Sequence, residues 1–286
     1  MDPYNPIIAA HADAARTRRF VRLDAMPAWP WLALQLLALW PAVAWSARRV
    51  ADGSDEPLGI VALSLLMALA ACGRLACRRE PRPAWLACAM SLTLVATVLL
   101  PHVPPLAHAL LAALALASAW AAFRAPRAPV LPVLGLLWLA LPLLASLQFY
   151  AGFPLRAATA WLSAGLLQMA GVAAAAAGAS VTIDGRLVLV DAPCSGVQLA
   201  WFAYCTACAA ALWRGVPDLR FVRRLALVGI AALLGNVVRN TVLLAAEGGM
   251  LAWPAWSHDA VGLAVLGAVC ALAAALMQGE PRDAHA

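Results

Sequence analysis

Apolar residues in this chain come in runs of about twenty, separated by short polar or arginine-bearing segments. As a helix rising about 1.5 Å per residue, such a run covers the hydrocarbon core of a bilayer. The pattern predicts about eight spans of this kind. They are Ala28–Ser46, Leu58–Leu75, Ala84–Leu100, Leu106–Phe123, Val130–Tyr150, Cys194–Trp213, Val222–Ala246 and Ser257–Met277. Pro30 and Pro41 are expected to kink the first. A transmembrane β-barrel would show short alternating segments instead.

The polar segments set the orientation. Arg74, Arg78, Arg79 and Arg82 follow the second span, Arg124 and Arg127 the fourth, and Arg214, Arg220, Arg223 and Arg224 the sixth. With the basic stretch Arg16–Arg22, these loops read as cytoplasmic, and so do both termini. The loops "PHVPP" and "EGGMLAWPAW" carry no arginine and read as outer. One loop dissents: Arg48 and Arg49 fall outside, followed by Asp52, Asp55 and Glu56. Arg16–Arg22 leads directly into the first span, so no cleaved signal peptide is expected. Residues 1–15 and 279–286 are expected to fray.

The longest outer segment follows the fifth span. Residues 154–179 are apolar but interrupted by Gly165 and Gly171. A ninth span there would invert every later loop, so an interfacial or re-entrant helix is expected. In "SVTIDGRLVLV", Val181 and Ile183 alternate with polar residues, then come Asp184-Gly185, Leu187 and Leu189. Asp-Gly between alternating runs predicts a short outer-face β-hairpin. It feeds directly into "DAPCSG", residues 191–196.

Composition agrees with the pattern. The chain is 64% hydrophobic and 12% charged over 286 residues, far from the balance of a soluble domain. The fold class is therefore an all-α polytopic membrane protein, a single integral membrane domain over residues 1–286. The net charge is +6 and every basic residue is arginine. Because the arginines sit between apolar runs, they read as topology signals and not as a nucleic-acid surface. Seven cysteines are an odd number, and most lie inside apolar runs, so no disulfide framework is indicated.

Three residues stand out as chemistry. Cys194 is expected at the outer mouth of the sixth span, with Pro193 suiting a first helical turn. A thiol at a helix N-terminus is expected to ionise more readily. Cys205 and Cys208 form a C-x-x-C inside the same span, where lipid burial argues against redox work. Arg239 lies about two turns below the outer end of the seventh span, and an intramembrane arginine is a functional hypothesis by default. Asn236, at i−3, shares its face, and Asn240 follows at i+1. His258 opens the eighth span, where Ser257 suits an N-cap and Asp259 the first turn. All three map to the outer side on consecutive spans. Thiol nucleophile, imidazole acid/base and fixed cation together make an acyl-transfer set. His102 and His108, at another outer loop, carry no such pattern. No outward cluster has metal-ligand spacing, and no cofactor is implied. A small-solute transporter or a polysaccharide-export component using Arg239 is the alternative reading.

Cys194-Ser195-Gly196, then Asn236-Val237-Val238-Arg239, then His258 form an ordered set that resembles the exosortase/archaeosortase family. "LQFYAGFPLR", Leu147–Arg156, is similar to that family's lead-in. The resemblance covers residues 146–277 as a catalytic core, and 1–145 match only as hydrophobic spans. Where many exosortases carry arginine four residues after the cysteine, this chain has Gln198. The resemblance implies a membrane cysteine transpeptidase with Cys194 as nucleophile, Arg239 assisting the oxyanion and His258 as acid/base. Ser195, Gln198 and Asn236 would serve substrate binding. The implied partners are exported proteins with a C-terminal motif (Pro-Glu-Pro in the commonest type), a transmembrane helix and a basic tail. The implied setting is the inner membrane, with the active site facing outward.

Overall fold

The computed structural model describes residues 27–249, 254 and 256–278. The expectations for residues 1–15, 279–286 and Arg16–Arg22 lie outside the described residues, as does much of the loop 247–256. Among the described residues the chain is mostly helical, with one small sheet, and forms two compact units.

The first unit includes residues 27–45 and 75–128. It contains α1 (Ala28–Ala38), the start of α2 (Trp40–Ala51), α4 (Pro83–Leu99) and α5 (Pro105–Phe123). The expected kink occurs once. α1 and α2 meet at a 70° bend at Leu39, just before Pro41. Pro41 has no N–H for the Leu37 carbonyl and its ring crowds that carbonyl, so the helix cannot run through and restarts with Pro41 in its first turn. Pro30 lies in the first turn of α1, where a missing N–H costs nothing, and it bends nothing. Small residues let α4 and α5 approach: α5 buries Ala109, Ala112, Ala115 and Ala119, and α4 buries Ala89 and Ala96. Ala28, Ala122 and Phe123 form a separate knot with Trp31, Trp85 and Leu86. The N–H groups of Arg78 and Arg82 donate to the carbonyls of Phe123 and Ala122 at 2.7 and 2.8 Å, satisfying the end of α5.

The second unit includes residues 46–74 and 129–278. It holds α3 (Leu58–Ala71), α6 (Leu131–Leu139), α7 (Leu144–Met169), α8 (Val197–Arg214), α9 (Asp218–Glu247) and α10 (Ser257–Leu276). The expected span Val130–Tyr150 is not one helix. α6 stops at Leu139, and α7 leaves at 92° to it after a break that contains Pro142. The interrupted stretch expected as an interfacial helix is the body of α7, which begins at Leu144, ten residues earlier than composition suggested. Both helix starts are capped from afar. Asp218 Oδ1 accepts the N–H groups of Val130 and Leu131 at 2.8 and 2.9 Å, and Asp55 Oδ1 accepts that of Ala145 at 3.2 Å.

Among the described residues three helices are long and apolar enough to cross a membrane: α5, α9 and α10. The number rises to five if each bent pair counts as one span. The count of eight is not reached on length and composition. The breaks at Leu39 and at 140–143 divide two apolar runs, α3 and α4 are only 14 and 17 residues long, and α8, at 18 residues, is not apolar enough.

The sheet is a three-stranded antiparallel meander of β1 (Ala174–Ala177), β2 (Ser180–Ile183) and β3 (Arg186–Leu189). The expected hairpin is β2–β3, and Asp184 and Gly185 take φ of +46° and +81°, as a type I′ turn requires. A two-residue turn pairs Val181 with Val188, so those two share a face. Leu187 and Leu189 therefore point outward, while Val181, Ile183 and Val188 pack on Ala160, Ala164 and Leu167 of α7 and Leu244 of α9. β1 was not expected. β3 runs through Val190 and Asp191 into a 3₁₀ turn, Ala192–Ser195, and then into α8.

Candidate active site

The 3₁₀ turn and α8 are separated by Gly196, at φ +84°. A Cβ on Gly196 would lie 2.8 Å from both Cγ and Nδ2 of Asn236, so backbone conformation and space both demand glycine. The turn is thereby pressed onto α9. Asn236 and Asn240, one helical turn apart, both donate from Nδ2 to the Cys194 carbonyl, at 3.0 and 3.2 Å. The Asn236 amide also donates to Thr159 Oγ1 of α7 at 3.1 Å, and the Asn240 amide to the Asn236 carbonyl at 2.8 Å. On the other side, Ser195 Oγ donates to Gln148 Oε1 of α7 at 3.0 Å and accepts the N–H of Val197 at 3.3 Å. The nucleophile candidate is thus held through its own carbonyl by α9, and its neighbour Ser195 is held by α7.

The Cys194 side chain is half-buried against the apolar cluster of sheet, α7 and α9. Burial pushes its thiol above the ordinary cysteine range, the Arg239 guanidinium pulls it back, and the carboxylates of Asp191 and Glu247 push it up again. The expected lowering by a helix N-terminus is not what dominates. Cys194 sits three residues before α8, beyond a left-handed glycine, so it lies outside the first turn of that helix.

Arg239 stands at i+3 from Asn236 on α9, a neighbour on the helix surface, and turns towards α10. Its Nε and Nη2 lie 3.6 and 3.7 Å from where a Cβ of Gly262 in α10 would be. Two buried polar atoms here have no hydrogen-bond partner among the described residues: Arg239 Nε and Asn236 Oδ1. Unpaired buried groups call for an explanation, and a bound substrate is one.

His258 lies four residues before Gly262, on the same face of α10 and about 6 Å along its axis. Its Nδ1 is 3.7 Å from Asp259 Oδ1, and its side chain is 46% exposed. Among the described residues no hydrogen bond or ion pair links it to Cys194 or Arg239. Ser257, expected as the N-cap, is the first helical residue, and its hydroxyl donates to the Pro254 carbonyl. Gln198, in the first turn of α8, donates to both carboxylate oxygens of Glu56 at 2.8 and 2.7 Å. Cys205 and Cys208 are buried within α8. A Cβ on Gly135 of α6 would be 2.6 Å from Cys208 Sγ, which marks that cysteine as packing.

The structure thus brings together Cys194, Ser195, Asn236 and Arg239, sets His258 one turn above the arginine's contact, and turns Gln198 to Glu56. Gln148, Thr159, Asp191 and Glu247 join the site without having been singled out from sequence. The one available signal was polarity: Thr159 and Ser163 stand one turn apart in an apolar helix, and Ser163 Oγ donates to the Val237 carbonyl of α9 at 3.3 Å.

The sequence profile of the transmembrane exosortase family matches residues 58–275. That is well over half of the chain and reaches further towards the N-terminus than the core 146–277. No curated protein and no solved structure matches the chain.

Proposed function

This chain belongs to the transmembrane exosortase family, and from that premise we propose that it is a membrane cysteine transpeptidase. It cleaves the C-terminal sorting signal of exported proteins at the outer face of the inner membrane. Its partners are proteins ending in a short motif, a transmembrane helix and a basic tail, and the surrounding lipid. The eight apolar runs, with the bent and short helices counted as spans, put both termini in the cytoplasm under the arginine rule.

The Cys194 thiolate attacks the scissile carbonyl, and a C–S bond forms as the carbonyl π electrons move to oxygen. Arg239 faces that oxyanion. As the C–N bond breaks, the leaving amine takes a proton from His258, which had accepted the thiol proton. A thioester on Cys194 remains. An acceptor nucleophile, or water, then attacks it, gives its proton to His258 and releases the thiol. Ser195, Gln198 and Asn236 border the path of the substrate.

The observation that carries this reading is the Cys194 turn. A half-buried thiol is fixed by its own backbone on the helix that bears Arg239. The test is cleavage of an anchor-bearing substrate in cells, normalised to membrane abundance of the enzyme. Cys194→Ala is expected to abolish cleavage, while Cys205→Ala and Cys208→Ala keep most of it. Wild-type cleavage by the Cys194→Ala protein overturns the reading.

A further inference from the structure

We infer that Asn236 and Asn240 form a paired clamp that positions the nucleophile, holding the Cys194 carbonyl against the helix that bears Arg239. The inference rests on Cys194 as the nucleophile.

In an unbroken helix the carbonyl of residue 194 would accept the N–H of residue 198. The left-handed Gly196 forbids that continuation and turns the carbonyl towards α9. A buried carbonyl must find donors elsewhere, and here it finds two. The side chains that supply them are 1% and 3% exposed, for Asn236 and Asn240, in a helix otherwise rich in apolar residues. Both amide nitrogens are spent inside the protein, which leaves the unpaired Oδ1 of Asn236 for a substrate.

The choice of asparagine follows from proton counting. A primary amide carries two N–H bonds on one nitrogen. The Asn236 amide divides its pair between Thr159 Oγ1 and the Cys194 carbonyl. The Asn240 amide divides its pair between the Asn236 carbonyl and the Cys194 carbonyl. Both nitrogens are fully used. Serine or threonine has a single proton to give, and aspartate, though isosteric, has none when ionised. Each asparagine therefore ties Cys194 to a second fixed point: α7 through Thr159, and the backbone of α9 itself.

Arg239 lies between the two clamping residues in sequence, within the same helical turn and at i+3 from Asn236. One turn of α9 thus sets both the backbone of Cys194 and the base of the guanidinium. The charged groups acting on the thiol are Arg239, which favours the thiolate, and Asp191 and Glu247, which oppose it. A clamp that slips lets the thiol leave Arg239 while the two carboxylates keep their effect.

The experiment uses the full chain in membranes. Alkylation of Cys194 by iodoacetamide is followed against pH by mass spectrometry of its own peptide, alongside anchor cleavage. In Asn240→Asp the alkylation midpoint is expected to rise by about one pH unit or more, and turnover to fall at least about tenfold with little change in KM. Asn240→Ala, which buries no new charge, is expected to shift the midpoint in the same direction and serves if the aspartate variant does not accumulate. With Asn236→Ala added, the loss should exceed the product of the two single losses, because the carbonyl is then wholly orphaned. A wild-type alkylation midpoint in both Asn240 variants overturns the clamp. So does lost cleavage that tracks lost abundance alone. Cleavage surviving in Cys194→Ala would instead overturn the nucleophile assignment, while the alkylation midpoint of Cys194 would still report on the clamp.

Discussion

In the unit of residues 27–45 and 75–128, α5 buries alanine after alanine, and its buried Ser118 turns its hydroxyl back on its own helix, to the Leu114 carbonyl at 2.9 Å. In the unit of residues 46–74 and 129–278, the buried Thr159, Ser163, Ser195, Asn236 and Asn240 bond to other elements or to one another. Both interiors are tight, but they are tight by different means. Small residues let helices approach and leave several close geometries similar in energy. Buried polar groups paired across elements in a low-dielectric interior favour the arrangement that pairs them, and breaking one link orphans another. The second unit is where one particular geometry is enforced, and Cys194 stands in the middle of it.

The hardest blow to that contrast is aimed at its charge. If Arg239 only snorkels towards the headgroups, lysine should replace it well, because lysine reaches them too. If it serves an oxyanion, its planar fork and fixed charge matter. Arg239→Lys is therefore expected to accumulate normally and to cleave the anchor at least about a hundredfold more slowly, the low end for loss of one oxyanion donor. Near-normal cleavage would leave the network of the second unit without an electrostatic purpose.

A smaller effect is expected at Gly196, which tests contact instead of charge. Alanine there meets Asn236 at 2.8 Å and must adopt φ +84°. Either the turn lifts from α9 or Asn236 gives way, and both loosen the hold on Cys194. Gly196→Ala should cut cleavage roughly tenfold or more, since strain of this kind costs about 1–3 kcal/mol. Gly165→Ala in α7, where a Cβ would meet nothing within 4 Å, is the matched control. Equal losses at the two positions would deny the turn its special place.

Much of this was legible in the chain, and the illegible parts have physical causes. Asp184-Gly185 announced its hairpin because few sequences supply two successive positive φ values. β1 gave no such signal. Its four residues are all alanine, which lacks strand preference, and they form a strand because Gly178 lets them fold back on β2. The break between α6 and α7 hid inside one apolar run, since hydropathy measures length and not direction. Cys194, Asn236 and Arg239 could be named from spacing. What spacing could not show was that the asparagine amides close on the cysteine's own carbonyl, because that contact joins residues 42 and 46 positions apart. The thiol's environment was hidden for the same reason: burial by α7 and the sheet outweighs the helix end that sequence brings forward.

The smallest expected effect is the sharpest comparison, because the same substitution enters both units. Thr159 Oγ1 accepts the Asn236 amide across elements, while Thr93 Oγ1 accepts Gln35 Nε2 and donates to the Ala89 carbonyl of its own helix. Valine keeps the shape of threonine and removes the hydroxyl. Thr159 is fully buried, so Thr159→Val leaves an amide proton of Asn236 unpaired with no water to take it. One such loss is worth about 1 kcal/mol, or about fivefold in cleavage if it passes through the clamp. Thr93 is only partly buried, and polar contacts between membrane helices average about 0.6 kcal/mol. That contact also has no route to Cys194, so Thr93→Val should alter abundance slightly and cleavage per molecule less than about twofold. The readout is anchor cleavage divided by membrane abundance for the two variants in parallel. If Thr93→Val lowers that ratio as far as Thr159→Val, both units respond merely to loosened helix packing, and the polar network of the second positions nothing that the alanines of the first do not.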